Sequence, residues 1–111
     1  FGKPLNRHQA IQFMLADMKT KIEASRMLTW KSAADGDAGV KNTESAAHAK
    51  RFASDTAMEV ATDAVQVYGG YGYSEEYPVA RLMRGAKVMQ IYEGSSQVQR
   101  MIIGREITKD L

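Results

Sequence analysis

The first third of the chain has a regular pattern of apolar and polar positions. Apolar residues recur there at three- and four-residue steps: Ile11, Met14, Leu15, Met18 and Ile22. This period places them in one stripe along an α-helix. The pattern predicts a first helix from about Asn6 to Ala34. The Gly- and Asp-rich run 35–39 that follows is typical of a loop.

A second helix is predicted to begin near Asn42 or Thr43, because either side chain can cap the free amides of a first turn. We expect it to continue to Tyr68 and to end at Gly69-Gly70. Small and branched apolar residues lie on one of its faces: Ala53, Ala57, Val60, Ala61, Ala64 and Val67. Their size lets a neighbouring helix approach closely.

Two shorter helices are predicted in the last third of the chain. Residues 69–77 are rich in Gly and Tyr and are not expected to be helical throughout. A third helix is predicted over about 78–90, with its proline in the first turn. A fourth is predicted to begin at Ser95 or Ser96, either of which can cap it, and to run toward Lys109.

These elements predict an all-α fold, an antiparallel up-down four-helix bundle. The last two helices together match the length of each long one. The 111 residues fit a single domain, which is long enough to bury a core without disulfides. The chain has no cysteine, and His48 has no second ligand at helical spacing, so no metal site is predicted.

The charge balance and the distribution of apolar residues argue against nucleic-acid and membrane partners. The formal net charge is only +2 and the charges are mixed, which does not indicate a nucleic-acid-binding surface. No apolar run approaches the roughly 20 residues that a membrane span needs, so no membrane partner is expected. No signal or transit peptide is recognised.

The run 91–97, Ile-Tyr-Glu-Gly-Ser-Ser-Gln, places a carboxylate at a break between two helices. The free amides at the start of the fourth helix can face an anion or a polar cofactor. Apolar neighbours could shield Glu93 from water, which would favour its use as a general base. An ordinary interhelical loop with a serine cap and an exposed glutamate fits the same residues.

A second unusual run is 66–73, Gln-Val-Tyr-Gly-Gly-Tyr-Gly-Tyr. Its glycines allow a ligand to approach the backbone closely, and its tyrosines offer stacking surfaces. It is not a dinucleotide-binding fingerprint, because no strand precedes it and the spacing differs. A helix stop with a tight loop is the alternative interpretation.

Five motifs occur in an order that resembles the acyl-CoA dehydrogenase family. They are Phe1-Gly2-Lys3-Pro4-Leu5, then His8-Gln9, then residues 61–66 with Gly69-Gly70-Tyr71-Gly72, then Glu76-Tyr77-Pro78-Val79 with Arg81, Arg84 and Lys87, and finally residues 91–97 with Gln99-Arg100. The resemblance covers essentially the whole chain. It implies that residues 1–111 are the C-terminal helical domain of a member whose N-terminal helical and middle β domains are absent from this sequence.

The resemblance implies a FAD-dependent enzyme of fatty acid β-oxidation that converts acyl-CoA thioesters to trans-2-enoyl-CoA. Glu93 would abstract the α-proton, FAD would accept the β-hydride, and an electron-transfer flavoprotein would receive the electrons. Tyr92 and Gly94 would contact the substrate. The implied location is the cytoplasm in a bacterium or the mitochondrial matrix in a eukaryote.

The resemblance also assigns flavin contacts to three groups of residues. These are Phe1, His8 and Gln9; Gln66, Val67, Tyr68, Gly69 and Gly70; and Ser95, Ser96 and Gln97. Because the flavin of the family usually lies between two subunits, a homodimer or a tetramer is implied. The chain departs from the family pattern at Gly85, where an acidic residue often stands, and at Ser95, which is often threonine.

Two other functions remain open on the sequence. One is a non-catalytic helical module for oligomerisation or interaction, from a degenerate relative. The other is a related glutaryl-CoA dehydrogenase or CoA-ester reductase. In every case we expect the isolated 111 residues to be inactive, because they lack the domain that would hold the flavin ring.

Overall fold

All 111 residues are described by the computed structural model, and every regular element in it is helical. A 3₁₀ turn at Leu5–Arg7 precedes five α-helices: α1 (Gln9–Asp37), α2 (Thr43–Tyr68), α3 (Gly70–Tyr73), α4 (Pro78–Met89) and α5 (Ser96–Thr108). The predicted all-α fold is confirmed. The domain is elongated, measuring 59 × 27 × 25 Å. No helix is both long enough and apolar enough to cross a bilayer.

The central element of the domain is α2, which packs against α1, α3, α4 and α5, whereas α1 contacts neither α4 nor α5. The salt bridge between Lys21 and Glu59, at 2.7 Å, joins α1 to α2. Another salt bridge between distant parts of the chain joins Lys41 to Glu106 at 2.9 Å and brings the last turn of α5 next to the residues that precede α2. The directions therefore alternate from α1 to α2 to α4, and α5 continues in the direction of α4. As their summed length suggests, α4 and α5 follow each other along α2 and share one layer. The predicted up-down order therefore holds for α1, α2 and α4 but not for α5, because the α4–α5 loop does not reverse the chain.

The end of α1 lies three residues later than predicted. The predicted loop 35–39 is helical up to Asp37. Of its two glycines only Gly39 ends the helix, with a φ of +68°. Its N–H donates to Gly36 O at 3.0 Å, and the next N–H, of Val40, donates to Asp35 O at 2.9 Å. This pair of bonds is the Schellman closure of a helix C-terminus. At the other end, α1 begins at Gln9, not at Asn6, because the 3₁₀ turn occupies residues 5–7.

The other helix boundaries agree with the sequence prediction to within a residue or two. Asn42 occupies the N-cap position of α2, but its side chain does not cap the helix. It donates instead to Ser32 O at 3.2 Å, across the α1–α2 connection. A single helical turn, α3, lies within the Gly- and Tyr-rich run. Its Gly72 packs on α2 so closely that a Cβ there would lie 2.5 Å from Val65 O, which explains the glycine.

The core inside this chain is thin. Its buried apolar residues are Ala47, Ala49, Val79 and Ala86, and no large side chain is fully buried. The apolar stripe of α1 is only partly covered, since Leu15 remains 42% exposed. Phe13 and Trp30, also on α1, are each about three-fifths exposed, at 61% and 59%. The cause is that α1 has a single helical neighbour, so only one side of it is covered.

Candidate functional site

The candidate site is centred on the α4–α5 loop, residues 90–95. Its first backbone amides continue to bond to α4: Ile91 N–H donates to Val88 O at 3.0 Å and Tyr92 N–H to the same oxygen at 3.1 Å. Its far end returns to its start, because Ser96 N–H donates to Gln90 O at 3.0 Å. The loop is therefore a short outward excursion between two helices that run in the same direction.

Glu93 lies at the tip of this excursion in an unusual backbone conformation. Its φ is +52°, and no other non-glycine residue of the chain has a positive φ. Gly94 follows with a φ of +89°. The left-handed region costs an L-residue about 1–2 kcal/mol. A strained residue that persists at a helix junction is a marker of function, because the surrounding structure has to hold it there.

The carboxylate of Glu93 faces solvent within this chain and forms no ion pair. The expected shielding by apolar neighbours is therefore not provided by this chain. Its neighbours Ile91 and Tyr92 are themselves 60% and 45% exposed, so they form an open apolar rim and not an enclosure. The backbone N–H of Glu93 has no hydrogen-bond acceptor either, which leaves both the carboxylate and an amide donor available to a ligand.

Two side chains from α2 hold the loop, and the sequence interpretation missed both of them. The ammonium of Lys50 donates to Met89 O at 2.5 Å and to Gly94 O at 3.3 Å. The carboxylate of Asp55 accepts hydrogen bonds from Gln90 Nε2 and from Ser96 Oγ, each at 2.8 Å. We refer to Lys50 and Asp55 as the two α2 anchors. No local motif marks either residue, because their partners lie 35 to 44 residues further along the chain.

The ionisation of Asp55 reflects its role in this contact. Burial raises the pKa of Asp55, but the hydrogen bonds from Gln90 and Ser96, with the nearby charges of Arg100 and Arg51, outweigh burial and hold its pKa below the ordinary value. Asp55 is therefore an anion at neutral pH. Its hydrogen bonds to the loop are charge-assisted, which makes them stronger than bonds between neutral groups.

The start of α5 is the second part of the site. Ser95 is the N-cap, and its Oγ accepts from Val98 N at 3.3 Å, as the sequence predicts for one of the two serines. A cavity of about 910 Å³ opens beside it. Ser95, Ser96 and Gln97 contribute to its wall. Three cationic and three acidic side chains also line it: Lys21, Lys87, Arg100, Asp55, Glu59 and Asp63. The charges of the wall balance, and of the first three amides of α5 only that of Gln97 has no acceptor in the chain. One N–H at this helix N-terminus is therefore available to a polar or anionic group of a ligand.

The remaining predicted flavin contacts lie elsewhere. Since α1 is antiparallel to α2 with Lys21 opposite Glu59, His8 lies toward the C-terminal end of α2, which carries Gln66, Val67, Tyr68, Gly69 and Gly70. His8 packs against Phe1, with their ring centroids 6.0 Å apart. The Nε2 atom of His8 is buried and has no hydrogen-bond partner. A buried polar atom of this kind indicates a missing polar partner.

The predicted flavin contacts thus form two clusters. The end cluster contains Phe1, His8, Gln9 and residues 66–70, and the loop cluster contains residues 95–97. Ser96 is bonded to Asp55, which precedes Gln66 by eleven residues on α2. At 1.5 Å per residue, the two clusters are about 17 Å apart along that helix. The structure therefore does not bring them together into one pocket.

Comparisons with known proteins place this geometry in a family. Residues 1–108 match the family model described as acyl-CoA dehydrogenase, C-terminal domain. The chain is 54% identical over 110 residues to cyclohexane-1-carbonyl-CoA dehydrogenase of Geobacter metallireducens, which covers 99% of this chain and 29% of that protein.

Solved structures show the same likeness. Butyryl-CoA dehydrogenase from Megasphaera elsdenii matches with a TM-score of 0.94 and 59% identity, over 96% of this chain and 28% of that one. A chain in the structure described for the electron transferring flavoprotein of Acidaminococcus fermentans matches with a TM-score of 0.97 and 54% identity, over 99% of this chain and 29% of that one. The chain thus spans less than a third of the length of these relatives.

Proposed function

The chain belongs to the acyl-CoA dehydrogenase family, whose C-terminal domain it matches, and from this premise we propose that it supplies a catalytic base. The enzyme would be FAD-dependent and would oxidise acyl-CoA thioesters to trans-2-enoyl-CoA. Similar proteins that carry this domain include a butyryl-CoA dehydrogenase and a cyclohexane-1-carbonyl-CoA dehydrogenase. Both names denote oxidation of acyl-CoA thioesters, which supports the reaction class for the flavoprotein that contains this chain.

The observation that carries the proposal is the left-handed conformation of Glu93 at the tip of the α4–α5 loop. An α-proton next to a thioester is only weakly acidic, so its removal needs a carboxylate that is held close and in the right direction. Glu93 has a free carboxylate, and its own N–H has no acceptor in the chain. That N–H is suited to donate to the thioester oxygen as negative charge develops on it.

The substrate is proposed to lie against Tyr92 and Gly94, the two neighbours of Glu93. Tyr92 is fixed to α4, because its hydroxyl donates to Met89 Sδ at 2.9 Å. Gly94 has a positive φ, which disfavours any side chain, and a Cβ there would also require the Gln99 amide to move. The exclusion of water from Glu93 has to come from groups outside this chain, because nothing in the chain covers the carboxylate.

The residues present fit a FAD cofactor. The unpartnered Nε2 of His8 supplies one polar contact, and the free N–H of Gln97 at the start of α5 can donate to a phosphate oxygen. The bound flavin would accept the hydride from the β-carbon. His8 and Gln9 would hold one flavin at the end cluster, and Ser95 to Gln97 would hold a second flavin at the loop cluster.

The separation of the two clusters supports an oligomeric enzyme. A distance of about 17 Å along α2 favours contact of one copy of the domain with two flavins, each shared with a second subunit. We therefore propose a homodimer or a tetramer built from dimers. An electron-transfer flavoprotein is the proposed electron acceptor, in line with the similar chain found in the Acidaminococcus structure.

The test is the Glu93→Gln variant of the full flavoprotein. We expect it to bind FAD and acyl-CoA, and to bleach its flavin with substrate about 10²- to 10⁴-fold more slowly, the range for loss of a general base. Glu75→Gln, an exposed glutamate away from the loop, is the matched control and should bleach normally. A normal bleaching rate for Glu93→Gln would remove Glu93 as the base.

A second candidate function is a non-catalytic helical module that mediates assembly. The specific observation in its favour is the large apolar surface of α1, where Phe13 and Trp30 remain exposed. Under that hypothesis the full protein would oligomerise but would show no substrate-dependent bleaching. The 111 residues alone are proposed to be inactive, and their turnover of butyryl- or octanoyl-CoA would contradict this.

A further inference from the structure

Lys50 makes contacts that an ordinary surface lysine does not make. Its ammonium is directed at two backbone carbonyls, Met89 O and Gly94 O, at 2.5 and 3.3 Å. It also lies 5.9 Å from the ring centroid of Tyr92. It forms no ion pair with any carboxylate of the chain, Glu93 included. Its positive charge is therefore not used in a salt bridge.

The two carbonyls bracket Glu93. Met89 is the last residue of α4, so its carbonyl has no partner inside that helix. Gly94 is the residue that immediately follows Glu93, and its carbonyl also accepts from Gln99 Nε2 at 3.2 Å. One ammonium thus ties the backbone before the excursion to the backbone after it. A lysine suits this task because its three N–H donors rotate freely and can serve two acceptors.

Asp55 fixes the loop at two further points, Gln90 and Ser96. With both α2 anchors in place, the backbone or side chain is held at residues 89, 90, 94 and 96. Residues 91–93 form the longest stretch of the segment without a hydrogen bond from α2, and Ser95 is bonded only within α5. Glu93 is therefore the free tip of a segment that is held on both sides, and Gly94, its next neighbour, is held directly by Lys50.

We propose that Lys50 is a positioning residue for Glu93: by bonding to Met89 O and Gly94 O it maintains the left-handed turn that directs the Glu93 carboxylate at the substrate. This rests on the proposed function of Glu93 as the base. Lys50 touches neither substrate nor flavin in this scheme. Its effect is transmitted by the backbone, through the carbonyl of the residue next to Glu93.

The experiment uses the full flavoprotein with Lys50→Met, Lys50→Arg and the control Lys19→Met, an exposed lysine that pairs only within α1. The readouts are the rate of substrate-dependent bleaching per bound flavin, the release of deuterium from the substrate α-carbon, and the Kd for acyl-CoA. Lys50→Met should slow both rates by about 10- to 100-fold, as a displacement near 1 Å does, with little change in Kd. Lys50→Arg should recover part of the rate, and Lys19→Met should match the wild type.

A double variant separates this proposal from the one on which it rests. If Lys50 acts through Glu93, adding Lys50→Met to Glu93→Gln should cause no further loss, because the two effects are not additive. A slow Glu93→Gln with a normal Lys50→Met would overturn the positioning role alone. A normal Glu93→Gln would overturn the base, and the role of Lys50 with it. A Lys50→Met enzyme that loses flavin but keeps its rate per bound flavin would show a structural role only, against the proposal.

Discussion

Two connections between helices in this domain have similar lengths and opposite construction. The α1–α2 connection, residues 38–42, places glycine in its left-handed position and closes with its own backbone hydrogen bonds. The α4–α5 loop, residues 90–95, places Glu93 in a left-handed position and is closed by side chains of α2. The first connection reverses the direction of the chain, whereas the second exposes the Glu93 side chain.

The difference shows how strain and support go together. Where only a reversal is needed, Gly39 takes the left-handed conformation at little cost, and the contacts around it are short in sequence. Asp35, for instance, accepts from Lys31 Nζ and from Ser45 Oγ, at most ten residues away. Where a carboxylate has to point outward, a strained residue is retained and distant side chains hold it. The predictions below test this contrast, from the largest expected effect to the smallest.

Removal of the Asp55 carboxylate should release the α4–α5 loop from α2. Asp55→Ala leaves Gln90 Nε2 and the partly buried Ser96 hydroxyl without their acceptor, and a hydrogen bond to a charged group contributes about 1.5–3 kcal/mol. We expect the free energy of opening at the first turn of α5 to fall by about 2–3 kcal/mol, measured by amide hydrogen exchange in the flavoprotein. Asp37→Ala, on an exposed turn of α1, is the control and should change little. Unchanged exchange in Asp55→Ala would show that the loop is closed locally, like the α1–α2 connection.

Substitution of the two left-handed residues, Gly39 and Glu93, should change the stability of the protein in opposite directions. Gly39→Ala should lower stability by about 1–2 kcal/mol, because alanine has to adopt a positive φ. Glu93→Gly should raise the melting temperature above that of Glu93→Ala, because glycine relieves the same strain. Glu93→Gly should nevertheless lose substrate-dependent bleaching. Equal melting temperatures for Glu93→Gly and Glu93→Ala would refute stored strain at this position.

Loss of the helix cap at the loop should have a smaller effect. Ser95→Ala removes the acceptor for Val98 N–H and should cost about 1 kcal/mol, seen as faster exchange at the first turn of α5. Ser95→Asp keeps an acceptor at the same place and should retain the slow exchange. If both variants exchange like the wild type, the two α2 anchors alone fix the start of α5.

The smallest effect on stability is expected when the pH is lowered and Asp55 becomes protonated. The folded pKa of Asp55 lies below its ordinary value of 3.8. The stabilisation from its ionised form is therefore complete above that value and is lost as the pH falls through the lower, folded pKa. The melting temperatures of the wild type and Asp55→Asn should differ by a constant amount from pH 6 to about pH 5 and converge below pH 3.8. A difference that persists undiminished at lower pH would mean that the charge is not involved.

Most of the fold could be predicted because helix boundaries depend on neighbouring residues. Pro78, Ser95 and Gly69 mark ends that the structure keeps. The end of α1 was predicted too early, since the composition of residues 35–39 does not reveal which glycine adopts the left-handed conformation. The exposure of the α1 stripe was not predicted, because the period of an apolar stripe does not tell whether a second helix covers it.

The candidate site was predicted only in its local part. Glu93 and its flanking Gly94 and Ser95 could be identified by their position at a helix break and by the family resemblance. No sequence pattern indicated the strain at Glu93 or the two α2 anchors. The sequence also did not show that the predicted flavin contacts fall into two clusters, which depends on how far Gln66 lies from Asp55 along α2.

The sequence by itself determined where helices begin and end, because capping and turn conformations depend on contacts within about five residues. Only the tertiary structure decided that Lys50 reaches Gly94 O, a contact between residues 44 positions apart. That contact exists because α4 and α5 lie along α2 in one particular register. Packing of whole helices sets this register, and no short motif encodes it. The proposed base can therefore be identified from sequence, whereas the residues proposed to hold it in place cannot.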